Sequence, residues 1–322
     1  MSASFRGSKK PLGLALQGGG AHGAFTWGVL DRLLEEPWFG VDGISATSSG
    51  AMNALALAQG WLDGGREGAR EALTTLWENV ANHTSLLRWA FSTPAGAATE
   101  TVLLELTRYF TPLEINPLGM NPLRDIAKQL FDFERLRQHA PFPLHLAATR
   151  VRDGRLVLFT NGELGLDALL ATTCLPQLFA PVEIGGEIYW DGGYAGNPAL
   201  EPLIYQSRSA GILCVLVQPL EAEAPRTARD IRERIGELGF STTFLRELDT
   251  IRRAQRSLRY TFPLSRIGRR LKSLRIEVIE PGEALAAYSA KTRMNTRLGF
   301  LRSLRDIGRE RAQAWLDLSP RQ

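Results

Sequence analysis

The stretch LALQGGGAHGAFTWGVL, residues 14–30, restricts the fold more than any other part of the chain. A short apolar run fits one buried strand. Three consecutive glycines follow it, and after them apolar residues recur at helical spacing. A strand that feeds a helix through glycines brings the backbone close to whatever lies above the loop. It also aims the free N–H groups of a helix N-terminus at that spot, where a negative charge is favoured. The anion is either a nucleotide phosphate or a charge that exists only during a reaction.

The same alternation continues through the first two-thirds of the chain. Apolar β-type runs fall at residues 12–17, 43–47, 144–149, 156–159, 188–190 and 212–217. Helical patterns fall at 21–34, 49–59, 66–79, 122–130, 167–173 and 198–206. Strands alternating with helices predict a layered α/β fold. Residues 82–121 differ: Trp89, Phe91, Tyr109 and Phe110 are punctuated by Pro94, Pro112 and Pro117. This segment reads equally as a lid over an apolar substrate or as an ordinary buried connection. After Val217 the polar stretch QPLEAEAPRTA marks a boundary, so residues 1–220 form the expected catalytic core. Residues 221–322 form a mainly helical, basic extension packed on the same unit, with helices at 228–258 and 283–318. The run LRIEVIEP, residues 274–281, is a candidate further strand of the sheet.

Charge is uneven along this extension. Between Arg252 and Arg311 there are sixteen Lys or Arg against five Asp or Glu, while the whole chain carries only +4. The excess fits either solvated helix faces or attraction to an anionic surface. With few aromatic residues and no nucleic-acid motif, a lipid surface is the preferred partner and nucleic acid is not expected. Cys174 and Cys214 sit in apolar segments without metal-type spacing, which predicts buried thiols and no metal site. Arg6, Lys9 and Lys10 precede LGLAL, but that run is too short for a signal peptide and ends in glycines. No apolar stretch reaches the roughly 20 residues of a membrane span. A cytoplasmic protein, at most peripheral to membranes, is expected.

Gly18, Gly20 and Gly23 satisfy the dinucleotide pattern G-x-G-x-x-G, yet the second strand lacks the acidic residue that would grip a ribose. It runs instead into ATSSG, residues 46–50. Ser48 has Ala46 and Gly50 two positions to either side, the small neighbours that a nucleophile elbow requires. The neighbouring registers on Ser45 and Ser49 are crowded by the branched Thr47. A serine nucleophile needs a base. None of His22, His83, His139 and His145 lies in a loop after a late strand, so a Ser-His-Asp triad is not supported. Asp191, closing the β-type run at YWDGG, is the better candidate, because a partly desolvated carboxylate there accepts the serine proton directly.

Taken together, GGGAHG (residues 18–23), ATSSGAMNA (46–54) and ATTCLPQLFAPVEIGGEIYWDGGYAGNPAL (171–200) resemble the patatin-like phospholipase family in order and spacing. The resemblance covers roughly residues 12–217. It implies a three-layer α/β/α sandwich and a serine hydrolase that cleaves lipid acyl esters with neither cofactor nor metal. By position in the motifs, Ser48 would be the nucleophile and Asp191 its base. The backbone of Gly18, Gly19 and Gly20, with Ser49, would form the oxyanion hole. Ala46, Gly50, Gly23, Gly192 and Gly193 would support the elbow and the loops. Two positions depart from the family pattern. Ala46 replaces the elbow's first glycine, and His22 stands where Arg or Lys is usual, which would make a fixed charge titratable. The alternatives are a lipid- or membrane-binding protein with a vestigial hydrolase site, and a dinucleotide-binding enzyme built on the 18–23 loop.

Overall fold

The computed structural model describes residues 11–91, 111–115, 121–209, 211–286 and 290–318. Most of the proline-punctuated segment 82–121 lies outside these residues.

Eight strands make one sheet: β1 (Leu12–Leu16), β2 (Val41–Thr47), β3 (Leu144–Arg150), β4 (Leu156–Thr160), β5 (Val182–Ile184), β6 (Glu187–Asp191), β7 (Gly211–Val215) and β8 (Arg275–Ile279). Their hydrogen-bonded order is β5-β6-β3-β2-β1-β7-β8, with β4 also paired to β3. From β3 to β8 along that order the pairs are parallel, whereas β4 and β6 run antiparallel to β3. The parallel centre explains the near-continuous apolar runs: LGLAL and GILCV are buried along their whole length, as strands covered on both faces must be.

Alternate residues of one strand enter different cores, as the period of two requires. Leu12, Leu14 and Leu16 of β1 join one apolar cluster with α1 (Gly23–Leu34), α2 (Ser49–Phe91), α3 (Pro122–Leu130) and the C-terminal helix α5 (Leu298–Leu318). Ala15 joins a second cluster with Phe244, Leu248 and Ile251 of α4 (Ala228–Leu258) and with Leu203 and Ile204. Helices thus cover both faces, giving the layered α/β sandwich predicted from the sequence. Residues 274–281 do supply an edge strand, β8, paired in register with β7 from Gly211↔Arg275 to Val215↔Ile279.

Two helix details follow from glycine. Residues 49–59 and 66–79 fall in two helices within α2, as the sequence predicts. The φ/ψ angles leave the helical region at Gly64 and Gly65, and a Cβ on Gly60 would meet the Gly68 carbonyl and Ala72, so the second helix folds back against the first. In α1, a Cβ on Gly28 would lie 1.8 Å from the Arg305 carbonyl oxygen, and one on Gly308 of α5 would lie 2.1 Å from that of Phe25. The two helices meet backbone to backbone, and only glycine permits that approach. The expected helix over 283–318 is divided into Glu283–Ala286, a short 3-10 turn at Ala290–Met294, and α5. Capping is regular where it matters. The Thr227 hydroxyl accepts from the Asp230 N–H at 3.1 Å and the Asp230 carboxylate from the Thr227 N–H at 3.0 Å, a reciprocal box that starts α4.

Candidate active site

The three motifs converge at the carboxyl ends of the central strands, where open α/β sheets place their sites. Register on β3 accounts for the meeting. Strand β4 occupies one edge of β3 along residues 145–149, so β2 and β6 must share the other. On that edge Thr47 pairs with Ala147 and Asp191 with Ala148. Strand β2 stops at Thr47 and β6 takes over at the next residue of β3. Ser48, directly after Thr47, therefore faces the end of β6 where Asp191 sits.

Ser48 is held in the left-handed region with φ 54°, the one non-glycine residue of positive φ among the described residues. Such a conformation costs on the order of 1–3 kcal/mol and persists only where its surroundings enforce it. Here they do. The Ser48 N–H donates to Thr172 Oγ1 at 3.0 Å, Thr47 Oγ1 donates to the Gly196 carbonyl at 2.7 Å, and the Ser48 carbonyl accepts from Ala51 at 2.8 Å. Ala46 lies fully buried between Leu16 and Leu146 on the neighbouring strands, so its methyl group is accommodated beside the turn. Gly50 faces the carbonyls of Leu16 and Gln17, and Gly23 faces the Ser49 hydroxyl. A Cβ on Gly18 would lie 2.6 Å from Ser48 Cβ and 2.7 Å from the Thr47 carbonyl oxygen. Only a glycine loop can pass this close to the elbow.

Asp191 is 1% exposed. Its Oδ1 accepts from the Gly193 N–H at 2.7 Å, and its main-chain N–H donates to the Cys174 carbonyl at 2.7 Å. Its Oδ2 is buried and makes no aligned hydrogen bond, and the Ser48 hydroxyl is the side chain whose influence reaches this carboxyl. The serine is near enough to favour the carboxylate without forming an aligned hydrogen bond to it. Burial pushes the Asp191 pKa up from its ordinary 3.8 to about 7, against the opposing pull of the Gly193 N–H and Ser48. A carboxyl of that pKa beside a serine is matched to proton transfer at neutral pH.

The glycine loop is clamped from several directions. Asn197, fully buried, accepts the Gly18 N–H at 2.7 Å and donates to the carbonyls of Gly18 and Phe240 at 3.3 and 3.1 Å. Gln17 Oε1 accepts from the N–H groups of Val217 and Gln218 at 2.7 and 3.1 Å. Gly19 donates to Ser49 Oγ at 3.0 Å. Of the N–H groups expected to face an oxyanion, those of Gly18 and Gly19 are thus engaged within the protein. The exposed Gly20 has no hydrogen-bond partner for its N–H among the described residues. Asn53 completes the frame: it donates to the carbonyls of Gly23 and Ser49 and accepts from Trp77 Nε1 at 3.0 Å. Phe240 of α4 covers the Asp191 side, its ring edge 2.2 Å from where a Gly193 Cβ would be and its centroid 4.8 Å from that of Tyr194.

His22 changes meaning. The sequence predicts a titratable charge beside the loop, but the ring is buried, bonds Thr292 Oγ1 at 2.8 Å, and has its pKa lowered to about 4 by burial and by Arg293. It is neutral at physiological pH. The positive charge near the loop is Arg293 itself, whose carbonyl oxygen lies 2.5 Å from a notional Gly20 Cβ and whose guanidinium reaches Glu237 of α4 at 3.5 Å. No histidine bonds to Ser48 or Asp191 among the described residues. Thr172, Asn197, Asn53, Phe240 and Arg293 were not singled out in the sequence, because most of their partners are remote in the chain, 179 residues away for the Asn197–Gly18 bond. Asn197 and Thr172 do fall within the 171–200 motif, the one local signal for either.

The family profile described as Patatin-like phospholipase matches residues 14–204, more than half of the chain. This chain belongs to the patatin-like phospholipase family. That is a family of lipid acyl hydrolases, and its matched span holds the glycine loop, the elbow and the Asp-Gly-Gly segment. Among solved structures, the chain is similar to VipD from Legionella pneumophila, with 16% identity and a TM-score of 0.45 over 96% of this chain and 67% of that one. No curated relative matches the chain by sequence. No helix among the described residues is long and apolar enough to cross a membrane.

Proposed function

We propose that this protein is a serine hydrolase that cleaves acyl esters of lipids through a Ser48–Asp191 dyad and an acyl-enzyme. The observation that carries the reading is the buried Asp191 carboxyl, with Oδ2 left unbonded on the Ser48 side and its pKa raised to about 7. Asp191 takes the hydroxyl proton as Ser48 Oγ attacks the ester carbonyl. The tetrahedral intermediate places its negative charge over the glycine loop, where the free Gly20 N–H and the N–H of Ser49 in the first turn of α2 are donors without helical partners. Gly19 joins them by exchanging its bond to Ser49 Oγ for one to the oxyanion. Asp191 then returns its proton to the leaving alcohol, and water attacks the acyl-enzyme by the same route in reverse.

Room for an acyl chain supports the lipid reading. A cavity of about 320 Å³ is lined by Leu170, Cys174, Phe179, Pro181 and Val182, with Arg124, Asp167 and Glu183 at its polar side. Leu170 lies two residues before Thr172, which bonds the Ser48 N–H, and the Cys174 carbonyl accepts from Asp191. A larger cavity of about 450 Å³ lies at the α2 kink, lined by Gln59, Asp63, Glu67 and Phe131, away from these groups. We give the smaller one the acyl chain because Leu170 and Cys174 of its lining flank Thr172, which holds the Ser48 N–H, and Cys174 holds the Asp191 N–H.

The test is hydrolysis of a p-nitrophenyl acyl ester by the wild type, Ser48→Ala and Asp191→Ala, extended to phospholipid and acylglycerol substrates. Both variants are expected to fold and to lose activity by at least about a thousandfold, the scale of losing a nucleophile or its base. Full activity in either variant overturns the dyad. An active wild type that hydrolyses only short soluble esters overturns the lipid assignment.

A further inference from the structure

Residues 252–276 hold nine Lys or Arg and no Asp or Glu. Within them α4 ends, a turn follows, and the helix Arg266–Ser273 leads into β8. Tyr260, Phe262 and Leu264 alternate along that turn and are 86%, 93% and 92% exposed, the three most exposed large apolar side chains among the described residues. The turn is well anchored. Lys272 Nζ donates to the Thr261 carbonyl at 2.7 Å, and an Arg269 nitrogen donates to the Leu264 carbonyl at 2.8 Å. Arg270 points inward onto the carbonyls of Leu203, Ile204 and Ser209, and Gln255 bonds those of Leu271 and Leu274. Lys272 stands over the Phe262 ring at 5.3 Å and Arg259 over Tyr260 at 5.5 Å.

We propose that this turn is a docking site for an anionic lipid surface, with Tyr260, Phe262 and Leu264 entering the interface and the surrounding cations meeting the headgroups. Arg252, Arg253, Arg256, Arg259 and Arg266 are exposed and in no ion pair among the described residues, which leaves their charge available to a partner. Charge complementarity selects an anionic occupant. The apolar residues select lipid over an acidic protein. They protrude from a turn and line neither of the two cavities described above, and a fluid interface accepts protruding aromatic and aliphatic groups without the matching pocket that a protein partner would need. The apolar stripe Ile231, Ile235 and Leu238, at the other end of α4, has no comparable concentration of positive charge.

The site also has a defined position relative to the dyad. Helix α4 covers the dyad side at Phe240 and ends at Leu258, about 27 Å further along at 1.5 Å per residue. The helix after the turn is tied to the strand starts, where β8 begins at Arg275 opposite Gly211. Docking through this turn therefore presents the dyad away from the surface that holds the protein, and it does not depend on the hydrolase reading.

The experiment is co-sedimentation of the full chain with phosphatidylcholine vesicles and with vesicles that also contain phosphatidylserine. Binding is expected only to the anionic vesicles and is expected to weaken with salt. It should fall at least about tenfold in Phe262→Ser/Leu264→Ser and in Arg253→Gln/Arg256→Gln/Arg259→Gln. The substituted side chains are exposed, so melting temperature and hydrolysis of a soluble ester should stay unchanged. Equal binding to neutral vesicles overturns the proposal, as does binding that survives both variants. Loss of binding in Ile231→Ser/Ile235→Ser/Leu238→Ser with the turn variants intact would move the docking site to the catalytic pole and overturn it too. Capture of immobilised polyglutamate with no binding to either vesicle would replace lipid by an acidic protein.

Discussion

Replacing Asp191 by Asn separates the chemistry of the carboxyl from its shape. Asn keeps an oxygen for the Gly193 N–H, which Asp191 Oδ1 now accepts at 2.7 Å, and sets an uncharged amide on the Ser48 side. What it removes is a carboxyl whose pKa stands at about 7 in the folded protein instead of 3.8. The folded state thus holds a proton that the unfolded chain releases. Below about pH 4 the group is protonated in both states and costs nothing. As pH rises toward 7 the wild type loses stability at about 1.4 kcal/mol per pH unit, and above 7 the loss levels off. The full displacement converts to roughly 4 kcal/mol. Asp191→Asn escapes this loss. Urea unfolding from about pH 5 to 8.5 should show the variant gaining on the wild type up to neutrality and holding a constant lead beyond it. Hydrolysis should be lost across the whole range. Parallel stability curves, or a lead that grows toward acid, would refute the reasoning that burial raises this carboxyl.

Two further perturbations address the frame around the dyad. His22 is buried with its pKa lowered to about 4, so the unfolded chain binds the extra proton, and stability should fall as pH drops from about 6.5 toward 4. His22→Gln should flatten that acid limb in thermal melts while leaving the neutral-pH rate largely intact. Asn197→Ala removes the acceptor of the Gly18 N–H and the donor to two carbonyls, and should destabilise by about 1–3 kcal/mol. Because the loop it holds lies against Ser48, kcat for ester hydrolysis should fall more than KM rises.

The fold was legible where constraints are local. The buried parallel strands read as apolar runs, and the glycine loop announced itself through its approach to the chain's second strand. The elbow was visible because its tight turn excludes bulky residues on either side of Ser48. Strand β5 was missed: its Val-Glu-Ile alternates, but three residues are too few to establish a period and none of them is buried. The two helical patterns 49–59 and 66–79 were legible, but not that the second folds back on the first through Gly64 and Gly65. His22 shows the limit most clearly. Its residue type announces a titratable group, but its burial and the Arg293 charge come from the 3-10 turn Ala290–Met294, some 270 residues away in the chain. Asn197 is hidden for the same reason, since nothing local says that its amide holds the glycine loop.

The central claim is that Ser48 is a nucleophile activated by Asp191, and a fluorophosphonate probe followed by proteolysis and mass spectrometry tests it most directly. The account predicts a single covalent adduct on the peptide containing Ser48, absent in Ser48→Ala and strongly reduced in Asp191→Asn. An adduct on another serine, or undiminished labelling of Ser48 after loss of the Asp191 carboxylate, would contradict it.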